Sequence, residues 1–294
     1  MNILLTGAYG FLGKIIVKEL EKNYNVTKLG LNPKNDIIFN LTNDKIKLNG
    51  NYDIVVHAAG KAHSIINSKK EKKLIKKINY YGTKNLLNNL KNKKIKSFIF
   101  ISTVSVYGIE QGNLINEKYS LNGTSSYASS KILAEREVMK WGTEEGVNCT
   151  ILRLPLVFGS NPSGNLKLMI DGIRTGMYFR LGRAENKRSV VLGEDIATFI
   201  PTLINKSGIY NLTDGYNPSV KEIENCISKK MNKKVKKIPQ ILINLFSRIL
   251  LLIPLDFVLK IKFKKLTSNL TFDDKKAVKH LNWKPRKVIR HFNF

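Results

Sequence analysis

Tyr127 and Lys131 stand four residues apart in "SSYASSKILAEREV", about one turn of a helix, so a phenol and an ammonium share a face there. A tyrosine with a pKa of about 10 is a poor base at neutral pH. A neighbouring ammonium lowers that value and turns the phenol into a usable proton shuttle. Upstream, "SFIFISTVSVYG" ends an apolar run in Ser102, Thr103 and Ser105, hydroxyls that could bind the same substrate oxygen and share its proton. Such a set suits hydride movement between a secondary alcohol and a ketone. The spacing alone discriminates little, because Tyr24/Lys28 and Tyr80/Lys84 repeat it. The first of those pairs runs into a strand, and the second has no strand ending in hydroxyls before it. Context selects Tyr127.

A second chemical feature opens the chain, "MNILLTGAYGFLGKIIVKEL". Gly7, Gly10 and Gly13 follow a strand-like run, and Ile15, Ile16 and Leu20 follow them at near-helical spacing. A strand, a glycine turn and a helix in that order place a pyrophosphate at the helix N-terminus, where unpaired N–H groups and the positive dipole end meet the anion. The competing reading is a loop where the chain simply turns. A position directly after the first strand favours the phosphate.

Strand and helix signals alternate around these groups. "NILLT" leads to a helix near 11–22, followed by "NVTKLGL" and "DIVVHAAG". A helix over about 71–91 precedes "SFIFIST", and one over about 125–141 precedes "NCTILRL". The strands are continuous apolar runs, as strands buried on both faces must be. The rhythm predicts an α/β fold, a Rossmann-type doubly wound parallel sheet with a smaller C-terminal substrate-binding domain. It breaks near residue 160 into loops such as "SNPSG" and "DGYNPS". A dinucleotide-binding domain is therefore expected over 1–160 and a mainly substrate-binding one over 161–294, with some segments returning to the first.

The 294 residues are 43% hydrophobic and 24% charged, ordinary for a globular chain able to bury a full core. Cys149 and Cys226 form no CxxC pair, and His57, His63, His280 and His291 lack metal-ligand spacing. No disulfide framework and no bound metal are expected. The net charge of +28 could serve nucleic acid, an anionic membrane face or an anionic substrate. Lysine and asparagine are scattered along the whole chain, so no specific nucleic-acid partner is expected. Residues 239–263 are apolar but contain Arg248 and Asp256, and Pro254 interrupts them. A central charge costs about 2.5–3.5 kcal/mol on insertion, so no membrane span is expected, with room left for peripheral contact. The first strand starts at once, without a signal-peptide pattern, which points to the cytoplasm.

In order, "TGAYGFLG", "HAAG", "INYYGTKNLL", "FISTVSVYG", "SSYASSK" and "LRLPLVFG" resemble the marks of the extended short-chain dehydrogenase/reductase family. "KRSVVLGEDIA", "GIYNLTDG" and "LNWKP" carry the resemblance over nearly the whole chain. Within that family the chain is similar to the NAD-dependent epimerase/dehydratase branch, especially bacterial UDP-N-acetylhexosamine 4-epimerases and 4-ketoreductases of surface-polysaccharide synthesis. The resemblance implies NAD or NADP(H) as cofactor and a nucleotide sugar as substrate, and leaves room for a homodimer. It implies Gly7, Gly10 and Gly13 at the pyrophosphate with Phe11 and Leu12 beside them, and Ala58, Ala59 and Gly60 lining the cofactor. Pro155 and Val157 would lie beside the nicotinamide. Thr103 would be the catalytic hydroxyl, Tyr127 the acid/base, and Lys131 its activator and a ribose ligand. Asn165 and Arg188 would face the diphosphate of the substrate. Asp195 is expected as a charge at a helix start, Asn79 as a helix-locking group and His57 as structural.

Departures from the family pattern narrow the reading. The dehydratases place an Asp-Glu pair after the catalytic threonine, whereas Val104 and Ser105 stand here, so 4,6-dehydration is not expected. Gly30 ends the second strand where NAD-preferring members carry an aspartate for the ribose 2′-hydroxyl. Asn40 replaces another commonly acidic position, and Lys28 and Lys34 could attract a 2′-phosphate. NADP(H) is then at least as well supported as NAD. The leading reading is a 4-epimerase or 4-ketoreductase. The alternative is a non-catalytic NADP-binding sensor or scaffold, against which the intact Thr103, Tyr127 and Lys131 count.

Overall fold

The computed structural model describes residues 1–43, 48, 50–62, 68–238 and 268–293. In chain order the strands are β1 (Asn2–Thr6), β2 (Asn25–Gly30), β3 (Ile37–Ile38), β4 (Ile54–His57), β5 (Ser97–Thr103), β6 (Gly112–Ile115) and β7 (Asn148–Leu154). There follow β8 (Leu156–Phe158), β9 (Phe179–Leu181), β10 (Val190–Leu192), β11 (Gly208–Asn211), β12 (Lys236–Ile238) and β13 (Leu270–Phe272). The helices are α1 (Phe11–Leu20), α2 (Lys69–Lys76), α3 (Gly82–Leu90), α4 (Ser126–Glu145) and α5 (Gly164–Thr175). After them come α6 (Gly193–Phe199), α7 (Val220–Met231), α8 (Lys275–Leu281) and α9 (Val288–His291).

Seven of these strands build one parallel sheet in the order β11-β7-β5-β4-β1-β2-β3. The order reverses between β1 and β4, so the loops leaving their C-terminal ends open a crevice at that point. Successive residues of β1 face opposite layers, as the pleat requires. Ile3 and Leu5 pack with Ile16 of α1 and Ile196 of α6, while Leu4 packs with Leu86 of α3 and Val138 of α4. That double burial explains the unbroken apolar runs. A separate core joins β8, β10, α5, α7 and α9 through Phe158, Ile170, Val190, Ile223 and Val288. β11 and α6 come late in the chain but pack with the large sheet.

Two elements differ from their expected limits. α4 continues to Glu145 because Gly146, with φ of +66°, is the residue that can take the left-handed stop. The expected helix over 71–91 starts earlier, on a Ser68 cap, and is interrupted between α2 and α3 by a π turn at Lys77–Tyr81. Residues 239–263 lie outside the described residues. Among the described residues no helix is long and apolar enough to cross a membrane.

A buried ion pair holds α4 to the sheet. Arg153 of β7 and Glu135 of α4 have side chains 2% and 3% exposed, with Arg153 Nη2 2.7 Å from Glu135 Oε2. Ser102 of β5 donates to Glu135 Oε1. Arg153 Nη1 donates to the Tyr107 hydroxyl at 3.1 Å, which in turn donates to Asn211 Oδ1 of β11 at 2.7 Å. Removing one charge leaves the other buried and unpaired. Glu135→Gln is expected to cost about 3–5 kcal/mol of stability, read from urea unfolding. A loss within experimental error would mean that the pair does not anchor α4.

Candidate active site

The loop between β1 and α1 is pressed against its surroundings by the absence of side chains. Gly7 has φ of +77°, and a Cβ there would lie 2.6 Å from the Ala59 nitrogen. A Cβ at Gly13 would lie 1.9 Å from the Gly7 carbonyl oxygen, so only glycine fits. Gly10 is looser, with 3.2 Å to the same oxygen, and it forms the extended N-cap of α1. It supplies no side-chain cap, and the first turn of α1 carries no acidic group, a combination that suits an anion at that helix end. Phe11 and Leu12 pack down onto the core beneath the loop. A cleft of about 330 Å³ lies above it, lined by Gly7, Gly10, Gly30, Asn35, Ala59 and Gly60 among others.

A chain of buried hydrogen bonds fixes the other wall. Ala59 N–H donates to Thr6 Oγ1 at 3.2 Å, and Thr6 Oγ1 lies 2.6 Å from His57 Nδ1. His57 Nε2 lies 2.9 Å from Thr83 Oγ1, whose own proton goes to the Asn79 carbonyl at 2.6 Å. Because Thr83 spends its proton there, His57 donates from Nε2 and accepts at Nδ1. Burial, with the Lys131 charge acting in the same direction, pushes the imidazole down to about 3. The ring is neutral and structural. Asn79 sits in the π turn, where its side chain clips a loop rather than its own helix. Its Oδ1 accepts from Lys61 N–H at 2.7 Å, and its Nδ2 donates to the Lys61 carbonyl and to Ser130 Oγ, each at 3.0 Å. The path Ala58–Gly60 runs from the glycine loop to the lysine, since a Cβ at Gly60 would lie 3.4 Å from Lys131 Nζ.

Tyr127 and Lys131 occupy the first turns of α4, started by Ser125 Oγ accepting from Ala128 N–H at 3.1 Å. Thr103 ends β5, accepts from Ser105 N–H at 3.2 Å, and its hydroxyl acts to lower the Tyr127 phenol. Lys131 Nζ donates to the Ile101 carbonyl at 2.8 Å and lies 4.4 Å from the Phe100 ring centroid. Burial pushes Tyr127 up to about 12, opposed by the Thr103 hydroxyl. Burial also pushes Lys131 down to about 8, opposed by Glu135. The expected lowering of the phenol by the ammonium is therefore not what dominates. The ammonium is held by a strand carbonyl and an aromatic face, and desolvation decides the direction for both groups.

The remaining expected residues spread around this centre. Pro155 and Val157 follow the end of β7, with Val157 on β8, which pairs with β10. Arg188 lies two residues before Val190, whose partner is Leu156, and so stands beside the end of β7. It is half-buried, and its Nη1 donates to the carbonyls of Lys187 and Ser268. Asn165 is exposed in the first turn of α5. Asp195 stands in the first turn of α6 and binds Arg286, with its Oδ1 2.7 Å from Nε. Lys28 is not directed at the adenosine end of the cleft. It pairs with Glu21 at 2.8 Å and Asp36 at 3.8 Å.

Two groups escaped the sequence reading. Arg153 stood in the apolar run "ILRL" and Glu135 one turn past Lys131, so a charge inside a buried strand was the available signal. Asn35 gave none.

The chain matches the family described as the NAD dependent epimerase/dehydratase family over residues 3–213. It is 26% identical over 259 residues to a UDP-glucose 4-epimerase of Vibrio cholerae, covering 81% of this chain and 78% of that one. It is 24% identical over 247 residues to an N-acetyl-alpha-D-glucosaminyl-diphospho-ditrans,octacis-undecaprenol 4-epimerase of Escherichia coli O157:H7, covering 80% and 73%. The structure of a UDP-N-acetylglucosamine 4-epimerase from Bacillus cereus superposes with a TM-score of 0.77 at 20% identity, covering 98% of this chain and 92% of that one.

Because His57 is pushed from 6.5 down to about 3 in the fold, the unfolded chain binds the extra proton between those values. Stability is then full above about pH 6.5 and falls as the pH drops toward 3. Thermal unfolding followed from pH 7 to pH 4 should decline more steeply in the wild type than in His57→Gln. Parallel declines would remove His57 as the cause.

Proposed function

The chain belongs to the NAD dependent epimerase/dehydratase family, and on that premise we propose that it is a nucleotide-sugar 4-epimerase acting on a UDP-linked N-acetylhexosamine. The observation that carries the reading is the buried Tyr127 one helical turn from the buried Lys131, with the Thr103 hydroxyl at the end of β5 near enough to act on the phenol. The names of the similar 4-epimerases support chemistry at C4, and two of them specify an N-acetylglucosamine derivative. The glycine crevice, too tight for any Cβ at Gly7 or Gly13, fits the pyrophosphate of a nicotinamide dinucleotide. When bound, that cofactor supplies reversible hydride transfer.

The chain's own residues handle the proton. Tyr127 takes the proton of the C4 hydroxyl and later returns it, while Thr103 shares the same oxygen. Burial alone opposes a phenolate at Tyr127, so a cation must offset the charge, and Lys131 is the cation on the same helix face. Its pKa of about 8 leaves it mainly charged at neutral pH. Val104 and Ser105 follow Thr103, so no carboxyl stands next to it to expel water from the sugar. Arg188 and Asn165, beyond the end of β7, are the groups proposed for the substrate diphosphate, Arg188 by charge-assisted hydrogen bonds.

Incubation with UDP-N-acetylglucosamine and no added cofactor should yield its C4 epimer. Silence there, with NADPH oxidation on a UDP-4-keto-6-deoxy sugar, would make the protein a 4-ketoreductase instead. Tyr127→Phe should lower turnover by about 10²–10⁴-fold with dinucleotide binding nearly intact, and Thr103→Ala should lose less. Near-normal turnover in Tyr127→Phe would end the mechanism. Separately, Arg188→Ala should weaken nucleotide-sugar binding in a titration and leave dinucleotide binding unchanged. Equal affinity in the variant would return Arg188 to a structural role.

A further inference from the structure

The ribbon formed by β9 and β12 has one face packed and one face exposed. Arg180 of β9 is buried and pairs with the buried Glu224 of α7, which also accepts from the Tyr178 hydroxyl at 2.8 Å. The two strands are parallel with Phe179 opposite Lys236, so these residues stand on the other face, together with Ile238. Phe179 is 47% exposed there, and Lys236 Nζ lies 5.6 Å from its ring centroid.

α5 extends this face. Its stop at Gly176 turns the chain back, and the N–H groups of Met177 and Tyr178 both donate to the Gly172 carbonyl at 2.9 Å. Leu168 stands one turn before Gly172 on the same stripe of the helix. Met177, at 78%, is the most exposed large apolar side chain among the described residues, and Leu168 is 68% exposed. Single exposed apolar residues are ordinary, whereas a cluster marks a contact surface.

The charge around the cluster says what it meets. From Asn225 to Ile238 the chain carries six lysines, no arginine and no acid. Lys233, Lys234 and Lys236 are exposed. From Gly164 to Leu181 the one acid is Asp171, already shared between Lys167 at 2.6 Å and Arg174 at 3.1 Å. Protein interfaces are enriched in arginine and depleted in lysine, which argues against a protein partner. Ammonium groups on long flexible stems suit a fluid array of phosphate headgroups, with the apolar side chains entering the edge of the acyl layer. Beyond Ile238 the sequence stays largely apolar to 263 and resumes its lysines at Lys264 and Lys265, so its composition continues that of the patch.

We infer that the face carrying Leu168, Met177, Phe179 and Lys236 docks the protein peripherally on an anionic phospholipid surface. The inference is independent of the reaction proposed above.

The test is flotation of the full chain with vesicles of phosphatidylglycerol mixed with phosphatidylcholine, and with vesicles of phosphatidylcholine alone. At about 0.1 M salt, where the Debye length is about 10 Å, the protein should partition onto the mixed vesicles at least about tenfold more than onto the neutral ones. Leu168→Ser combined with Met177→Ser should lower that partitioning by about tenfold or more, because two large apolar side chains no longer leave water. Lys234→Gln combined with Lys236→Gln should lower it by about fivefold for each lysine, and should weaken its dependence on salt. Every replaced residue is exposed, so thermal melting should match the wild type. The lysine pair carries the test if the apolar pair melts lower. No partitioning onto the mixed vesicles, equal partitioning onto the neutral ones, or partitioning unchanged in the variants would overturn the inference. A dimer in sedimentation that the Leu168→Ser, Met177→Ser variant loses would give the face to a second copy of the chain and overturn it as well.

Discussion

The buried pair between Arg153 and Glu135 is the constraint on which the site's geometry depends. Two charges can leave water together only if their remaining polar positions are also met. Here they are met by Ser102 on β5 and Tyr107 just after it, with Tyr107 passing the connection to Asn211 on β11. The arrangement ties three strands to one helix at a single depth. Ser102 is the neighbour of Thr103, and Glu135 lies one turn beyond Lys131, so a network with no contact to the proposed substrate sets the distance between β5 and the reactive face of α4.

A second set of restraints works on the opposite side of Lys131. The neutral His57 links β1 to α3 through Thr6 and Thr83, and Asn79 joins the loop after β4 to Ser130 of α4. The π turn places Asn79 to reach that loop, a use of irregular helix typical of functional sites. The glycine loop then fits against Ala59 because Gly7 has no side chain, and α1 fits against the loop because Gly13 has none. Rigid walls on both sides leave the cleft largely formed before any ligand enters, which reduces the ordering that binding would otherwise require.

The centre of the site runs against stability. Burial raises the phenol of Tyr127 and lowers the ammonium of Lys131, so neither group is in the environment its charged form would favour. Such opposed shifts within one cleft are what acid–base chemistry needs and what a purely structural core avoids. The large positive charge is a different matter. Lysines such as Lys22, Lys140 and Lys167 pair with carboxylates at the exposed surface, where ion pairs contribute little to the fold.

Local pattern decided much of this protein. Unbroken apolar runs identify parallel strands because both faces are buried, and glycines after the first run identify a tight turn because only glycine fits. Tyr127 and Lys131 share a face because a helix repeats every 3.6 residues. These properties depend on neighbours in the chain, so they are legible in the letters. The tertiary structure decided what depends on distant partners. Lys28 has the charge for a phosphate, but Glu21 and Asp36 claim it. Asn35 looks like any loop asparagine until packing beside Gly30 buries its oxygen. Lys131 was expected to lower the pKa of Tyr127, but desolvation, a property of everything packed around the pair, sets both pKa values. Periodicity is local, whereas burial and electrostatics are sums over the whole fold.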